Sequence, residues 1–128
     1  MKPSARAVLA LTSVSVLTAC GTNSATVDLS PAAQEGRSVV RSKGCASCHG
    51  SDGGGGVGPA FVGLFGADVR LEGGEIIVAD REYLVESIVD PQAKIVEGYN
   101  LPMPRTELTD DEIDAVIDYI EELAEVEP

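Results

Sequence analysis

Tryptophan does not occur in this chain, and aromatic residues of all kinds make up only 4% of a sequence that is 44% hydrophobic. The large rings that usually fill a core of this size are therefore missing, and a bulky apolar cofactor would supply what they do not. Histidine is scarcer still. The chain has one His and three Cys, and after Cys48 and His49 no further Cys or His follows. A structural zinc site, which needs four protein ligands, is excluded on that count. Basic residues are few as well: nine Lys and Arg stand against 21 Asp and Glu, giving a formal net charge of -12. Nucleic acid is not a partner for such a surface. The acidity suits a basic docking face, and it equally serves plain solubility. Long apolar runs are absent after residue 20, there is no internal repeat, and 128 residues fit one domain.

What is present begins with an address. Met1 to Arg6 carries two positive charges, and Ala7 to Thr18 is uncharged, apolar or small hydroxyl throughout. That is the length of a signal-peptide core, too short for the roughly 20 residues of a membrane span. The run ends in Leu17-Thr18-Ala19-Cys20, which resembles the lipobox of bacterial lipoproteins. The resemblance implies cleavage after residue 19 and a lipidated N-terminus at Cys20, the one Cys with no partner in sight. Residues 20–30 then read as a small, polar, flexible tether with an r.m.s. span of about 17 Å. Residues 31–128 remain for the folded domain, held by its acyl chains to the outer face of the cell membrane or its periplasmic side.

Within that domain Ser30-Pro31 is an N-cap followed by proline at the first helical position, and a helix is predicted over 31–43. A short helical turn is expected at Cys45–His49. Residues 51–66 hold seven glycines and must be loop, ordered against a cofactor because a true linker would leave two pieces too small to bury a core. Asp80 caps a helix over 81–89 with Tyr83, Leu84, Ile88 and Val89 as its apolar stripe. No periodicity appears between Gln92 and Thr106. Thr109 to Glu112 is a capping box, and the helix it opens places Ile113, Val116, Ile117, Ile120 and Leu123 on one face. The class expected is all-α, small and loop-rich.

The chemistry lies in Cys45-Ala46-Ser47-Cys48-His49. On a helical turn the two thiols and the imidazole face one ligand, and this string is the attachment signature of c-type haem. Each thiol adds across a haem vinyl group to form a thioether, and His49 is then positioned to bind the iron. A thioredoxin-like dithiol would want a βαβ context that this pattern does not offer. A c-type iron usually takes a second protein ligand, and a thioether there raises the potential. The chain after Cys20 holds one Met, Met103, set between Pro102 and Pro104. Flanking prolines are a poor setting for a flexible packing residue, so Met103 is the expected distal ligand.

Gly36, the CASCH string, Gly58-Pro59, the Met in PMP and Asp118-Tyr119-Ile120 together resemble class I cytochromes c. More narrowly, GGVGPAFVGLFG, GGEIIVADREYLVESIVDPQAKIVEGY and MP look like the cytochrome c domain attached to subunit II of bacterial haem-copper oxidases. The resemblance implies three to five helices wrapped around one covalent haem c. It also implies that the Pro59 carbonyl accepts the Nδ1 hydrogen of His49, and that Gly36 marks a close crossing of the first and last helices with Tyr119 packed against it. Two departures stand out, Val40 where many relatives carry an aromatic and no Trp for a propionate. Arg70 and Tyr99 stay open between a propionate contact and an ordinary structural place.

The function expected is single-electron transfer in a respiratory chain, to a terminal haem-copper oxidase. With both axial positions filled no small-molecule substrate binds at the metal and no catalytic residue is needed. The alternative is a fixed, non-catalytic haem subunit of a larger redox enzyme. A sensor or peroxidase would require an exchangeable distal ligand.

Overall fold

The computed structural model describes residues 28–125. The predicted leader, the lipidation site at Cys20 and most of the tether lie outside the described residues. The elements run α1 (Pro31–Ser42), α2 (Ala46–His49), β1 (Asp68–Arg70), β2 (Ile76–Val78), α3 (Arg81–Val89) and α4 (Asp110–Leu123), joined by long irregular segments.

Each helix starts where its cap dictates. The Ser30 hydroxyl accepts from the Ala33 amide and Pro31 takes the first position of α1. Asp80 accepts from the Tyr83 amide. At α4 the capping box is complete, the Thr109 side chain accepting from the Glu112 amide and the Glu112 carboxylate from that of Thr109. Lys43, the residue after α1, makes a 2.8 Å ion pair with Glu112 and so ties the end of the first helix to the start of the last.

The core is built on the packing of α1 against α4. The α4 stripe is buried as its periodicity predicts, with Tyr119 added to it, and it meets Ala33, Val39 and Val40 of α1 in one apolar cluster. At the crossing the approach is extreme. A Cβ placed on Gly36 would lie 1.8 Å from the Ala115 carbonyl oxygen and 2.9 Å from the Tyr119 Cβ, so only glycine lets these backbones meet. α3 joins the layer through Arg81, whose guanidinium pairs with Asp114, Asp118 and Glu121 along α4 at 3.0, 3.3 and 2.9 Å.

The four helices lie where the sequence puts them, with two corrections. First, the chain carries a small antiparallel hairpin, Asp68 opposite Val78, Val69 opposite Ile77 and Arg70 opposite Ile76. Three-residue strands are too short to show an alternation, but two runs of β-branched and apolar residues around Gly73-Gly74 form a hairpin signal of their own. Second, Val89 is 52% exposed and leaves the α3 stripe to Tyr83, Leu84 and the half-buried Ile88. The segment after α3 is pinned to the hairpin rather than loose. The Glu72 amide donates to Ile95 and the Glu97 amide to Arg70, at 2.8 and 2.9 Å. These bonds make the non-periodic stretch a wall.

Candidate haem-binding site

Between α2, the glycine-rich loop, the hairpin, α3 and the segment before α4 lies a cavity of about 730 Å³. Cys45, Cys48, His49 and Met103 all line it. Four residues separated by as many as 58 positions in the chain therefore open on one space.

The α2 turn is four residues long, and its last carbonyls would be orphaned in an isolated helix. The glycine loop satisfies them: the Gly58 amide donates to Cys48 at 3.0 Å and the Gly55 amide to His49 at 2.8 Å. The same loop fixes the imidazole. The Nδ1 of His49 lies 2.8 Å from the Pro59 carbonyl oxygen. A carbonyl only accepts, so Nδ1 carries the hydrogen and Nε2 keeps the lone pair, the tautomer a metal needs. Phe61, itself buried, stacks on the ring with centroids 4.5 Å apart and planes at 17°. A Cβ on Gly58 would sit 3.1–3.3 Å from three atoms of the ring, so the backbone there presses directly on its face. His49 is the one buried polar or charged residue among the described residues. Burial pushes its pKa below the ordinary value, with the Pro59 bond opposing, and the neutral form that can ligate is favoured.

The thiols are half-buried and unpaired with each other. Burial holds the Cys45 thiol above its ordinary pKa, opposed by its own backbone hydrogen bond and reinforced by the neighbouring Cys48. A redox dithiol is built the other way, with a lowered pKa at its attacking sulfur. The pair suits attachment, not exchange.

Met103 is half-buried on the segment before α4. Two contacts hold that segment to the end of α3: Gln92 Nε2 donates to the Met103 carbonyl at 3.2 Å, and Arg105 pairs with Asp90. Arg70 and Tyr99 also line the cavity, Arg70 being engaged with Glu97 at 3.6 Å and with the Gly74 carbonyl. Sequence reasoning passed over Phe61 and the hairpin's Val69, whose site contacts depend on the fold and leave no local pattern. It also passed over Ser87, a helix serine of ordinary appearance.

These residues fit a haem. The space is large and has an apolar lining. It offers two thiols three residues apart, and an imidazole held in the ligating tautomer by a backbone cradle. The family model for cytochrome c matches residues 33–124, which spans the first helix, the cavity and the last helix. No curated protein matches the chain.

Proposed function

Because the chain belongs to the cytochrome c family, we propose that it is a lipid-anchored electron carrier in which His49 and Met103 are the two axial ligands of one haem. Family membership fixes the coarser terms: the cofactor is covalently attached haem c, and the role is haem-based electron transfer. Cys45 and Cys48 stand at the attachment spacing. When bound, the haem iron supplies a one-electron couple between ferrous and ferric states.

The observation that carries the ligand assignment is that His49, with its Nδ1 already committed to Pro59, shares one cavity with Met103. Pro59 fixes the imidazole, Phe61 and Gly58 confine its faces, and the two prolines stiffen the backbone of Met103. Rigid ligands keep the same geometry in both oxidation states, which is what a carrier requires. Replacing Met103 by Ala is expected to open the sixth position. The native ferrous protein excludes carbon monoxide at neutral pH and the variant binds it, with a shift of the visible absorption bands. Ready binding by the native protein would return the assignment to a five-coordinate sensor or peroxidase.

The finer terms rest on the sequence. Leu17-Thr18-Ala19-Cys20 supports a lipidated terminus, and no helix among the described residues is long and apolar enough to cross a membrane. The protein then works at the outer or periplasmic face, as leader 1–19, tether 20–30 and haem domain 31–128. The likeness of residues 55–66, 73–99 and 103–104 to oxidase-attached domains supports a terminal haem-copper oxidase as acceptor. Native membranes respiring on oxygen are expected to reoxidise the added ferrous protein, and an inhibitor of the oxidase to stop it. A ferrous protein that persists beside an active oxidase would remove the acceptor from the proposal. Release of the haem protein by salt alone would remove the anchor.

A further inference from the structure

Of the seven Lys and Arg among the described residues, five make ion pairs: Lys43, Arg70, Arg81, Lys94 and Arg105. Arg37 and Arg41 make none with the described residues. In a chain with 21 Asp and Glu that is an exception, and the two exceptions are neighbours, one turn apart on α1. Like charges at that spacing repel and weaken the helix. Arg37 Nε is moreover buried without a hydrogen-bond partner, so the described residues do not satisfy its guanidinium. Both cations act on one phenol: burial raises the Tyr119 pKa, and Arg37 and Arg41 oppose the rise. Asp52 acts there in the other direction, but its carboxylate takes the Gly54 amide at 3.1 Å and pairs with neither arginine. Two guanidiniums beside one tyrosine call for an anion that the described residues do not supply.

The entry of the chain into the domain narrows what that anion is. Leu29 is buried, its carbonyl accepts from Gln34 Nε2 at 2.8 Å, and the Ser30 amide donates to Glu122 at 2.9 Å. The tether therefore ends in a clamp on the start of α1 and the end of α4. From Cys20 to Asp28 there are eight peptide steps, which span at most about 29 Å when fully extended. Arg37 and Arg41 follow within the next ~15 Å of helix, so both are in reach of a bilayer that holds acyl chains on Cys20. Such a surface presents phosphate, which the guanidinium fork meets with paired N–H donors. With a formal net charge of -12, most of the protein's surface is repelled by anionic lipid. A pair of cations that no carboxylate neutralises then decides which side settles.

We propose that Arg37 and Arg41 form the face on which the haem domain rests against the bilayer, their guanidiniums gripping lipid phosphate groups. The inference rests on the lipid anchor at Cys20 and goes beyond it: the anchor limits distance, and the arginine pair sets orientation. α1 then lies with this side toward the headgroups, and the haem attachment turn that follows it is held in one pose above the membrane.

The test follows an arginine-specific dicarbonyl reagent on the acylated holoprotein, site by site by mass spectrometry, in phosphatidylglycerol vesicles and in neutral maltoside micelles. Arg41, exposed in the fold, is expected to react about fivefold more slowly on vesicles, the factor to which about 1 kcal/mol per cation near a lipid surface corresponds. Arg37 follows it. Arg70 and Arg105, which lie off α1, react alike in both. Haem quenching of a headgroup-labelled lipid is the second readout: at equal protein per vesicle it shifts in the double variant Arg37→Gln with Arg41→Gln, whose domain is no longer held in one pose. Protein that floats with the vesicles while Arg41 reacts as in micelles, or quenching that the double variant leaves unchanged, overturns the orientation and leaves the anchor standing. Inorganic phosphate that protects Arg41 in micelles as well as vesicles do overturns the lipid contact in favour of a simple anion site. Protection found only in native membranes gives the face to a protein partner and overturns it equally. Protein that does not float with the vesicles removes the anchor, and the inference falls with it.

Discussion

Changing Cys45 and Cys48 together to Ala is expected to abolish covalent haem: after denaturing electrophoresis no haem remains with the chain. Either single change leaves one thioether and reduced but detectable attachment. His49 keeps its tautomer in all three, because its bond to Pro59 involves neither thiol. The effect reaches further than the label. At about 24 cal/mol per Å³, a closed and dry hole of the size of this cavity, about 730 Å³, would cost ~18 kcal/mol. The site opens to solvent beside Val57 and Leu101, which are 58% and 60% exposed, so only part of that penalty applies. A third of it already matches the lower end of the roughly 5–15 kcal/mol that holds a domain folded. The double variant is therefore expected to lose cooperative unfolding when haem is extracted. Haem that stays with the denatured double variant would sink the attachment claim.

The second large effect is at Gly36. Alanine is the better helix former by about 1 kcal/mol, so on propensity alone Gly36→Ala stabilises α1. Contact decides otherwise. The new methyl would lie 1.8 Å from the Ala115 carbonyl oxygen and 2.5 Å from its carbon, and these are backbone atoms that no rotamer change removes. The two helices must separate, and their shared cluster of Val39, Val40, Val116, Ile117 and Ile120 loosens with them. Overpacking usually costs 1–3 kcal/mol; a clash with backbone at the main helix contact is expected to exceed about 3 kcal/mol. Ser38→Ala supplies the control, being an exposed position of the same helix with the same product residue. Denaturant unfolding of the holoproteins should place Ser38→Ala within a few tenths of native and Gly36→Ala far below it. Equal midpoints would mean that the crossing is wider than described.

Why Pro31 was legible in the sequence and Phe61 was not comes down to the range of the causes. Pro31, the Thr109 box and the stripe from Ile113 to Leu123 act within one or two turns of helix, so local chemistry already dictates α1 and α4. Cys45, Cys48 and His49 are contiguous, so their convergence is also local. Pro59 and Gly36 came through family resemblance, and the Pro59 carbonyl does meet His49 Nδ1 while Gly36 does sit under Ala115 and Tyr119. The hairpin escaped because its strands are three residues long and its partner segment at 95–97 has no period. Phe61 against His49 and Val69 beside the same cavity depend on how distant segments fold together. No spacing in the chain announces such pairs.

The meeting of α1 with α4 also orders events in time. A chain made from its N-terminus presents Cys45 to His49 while α4 is still to come, and closing so long a loop is slow compared with forming a helix. Until the last helix arrives, Gly36 has nothing to cross and the core cannot shut. The two thiols stay open to an incoming cofactor for that interval, and docking of α4 afterwards seals the domain around what they have caught.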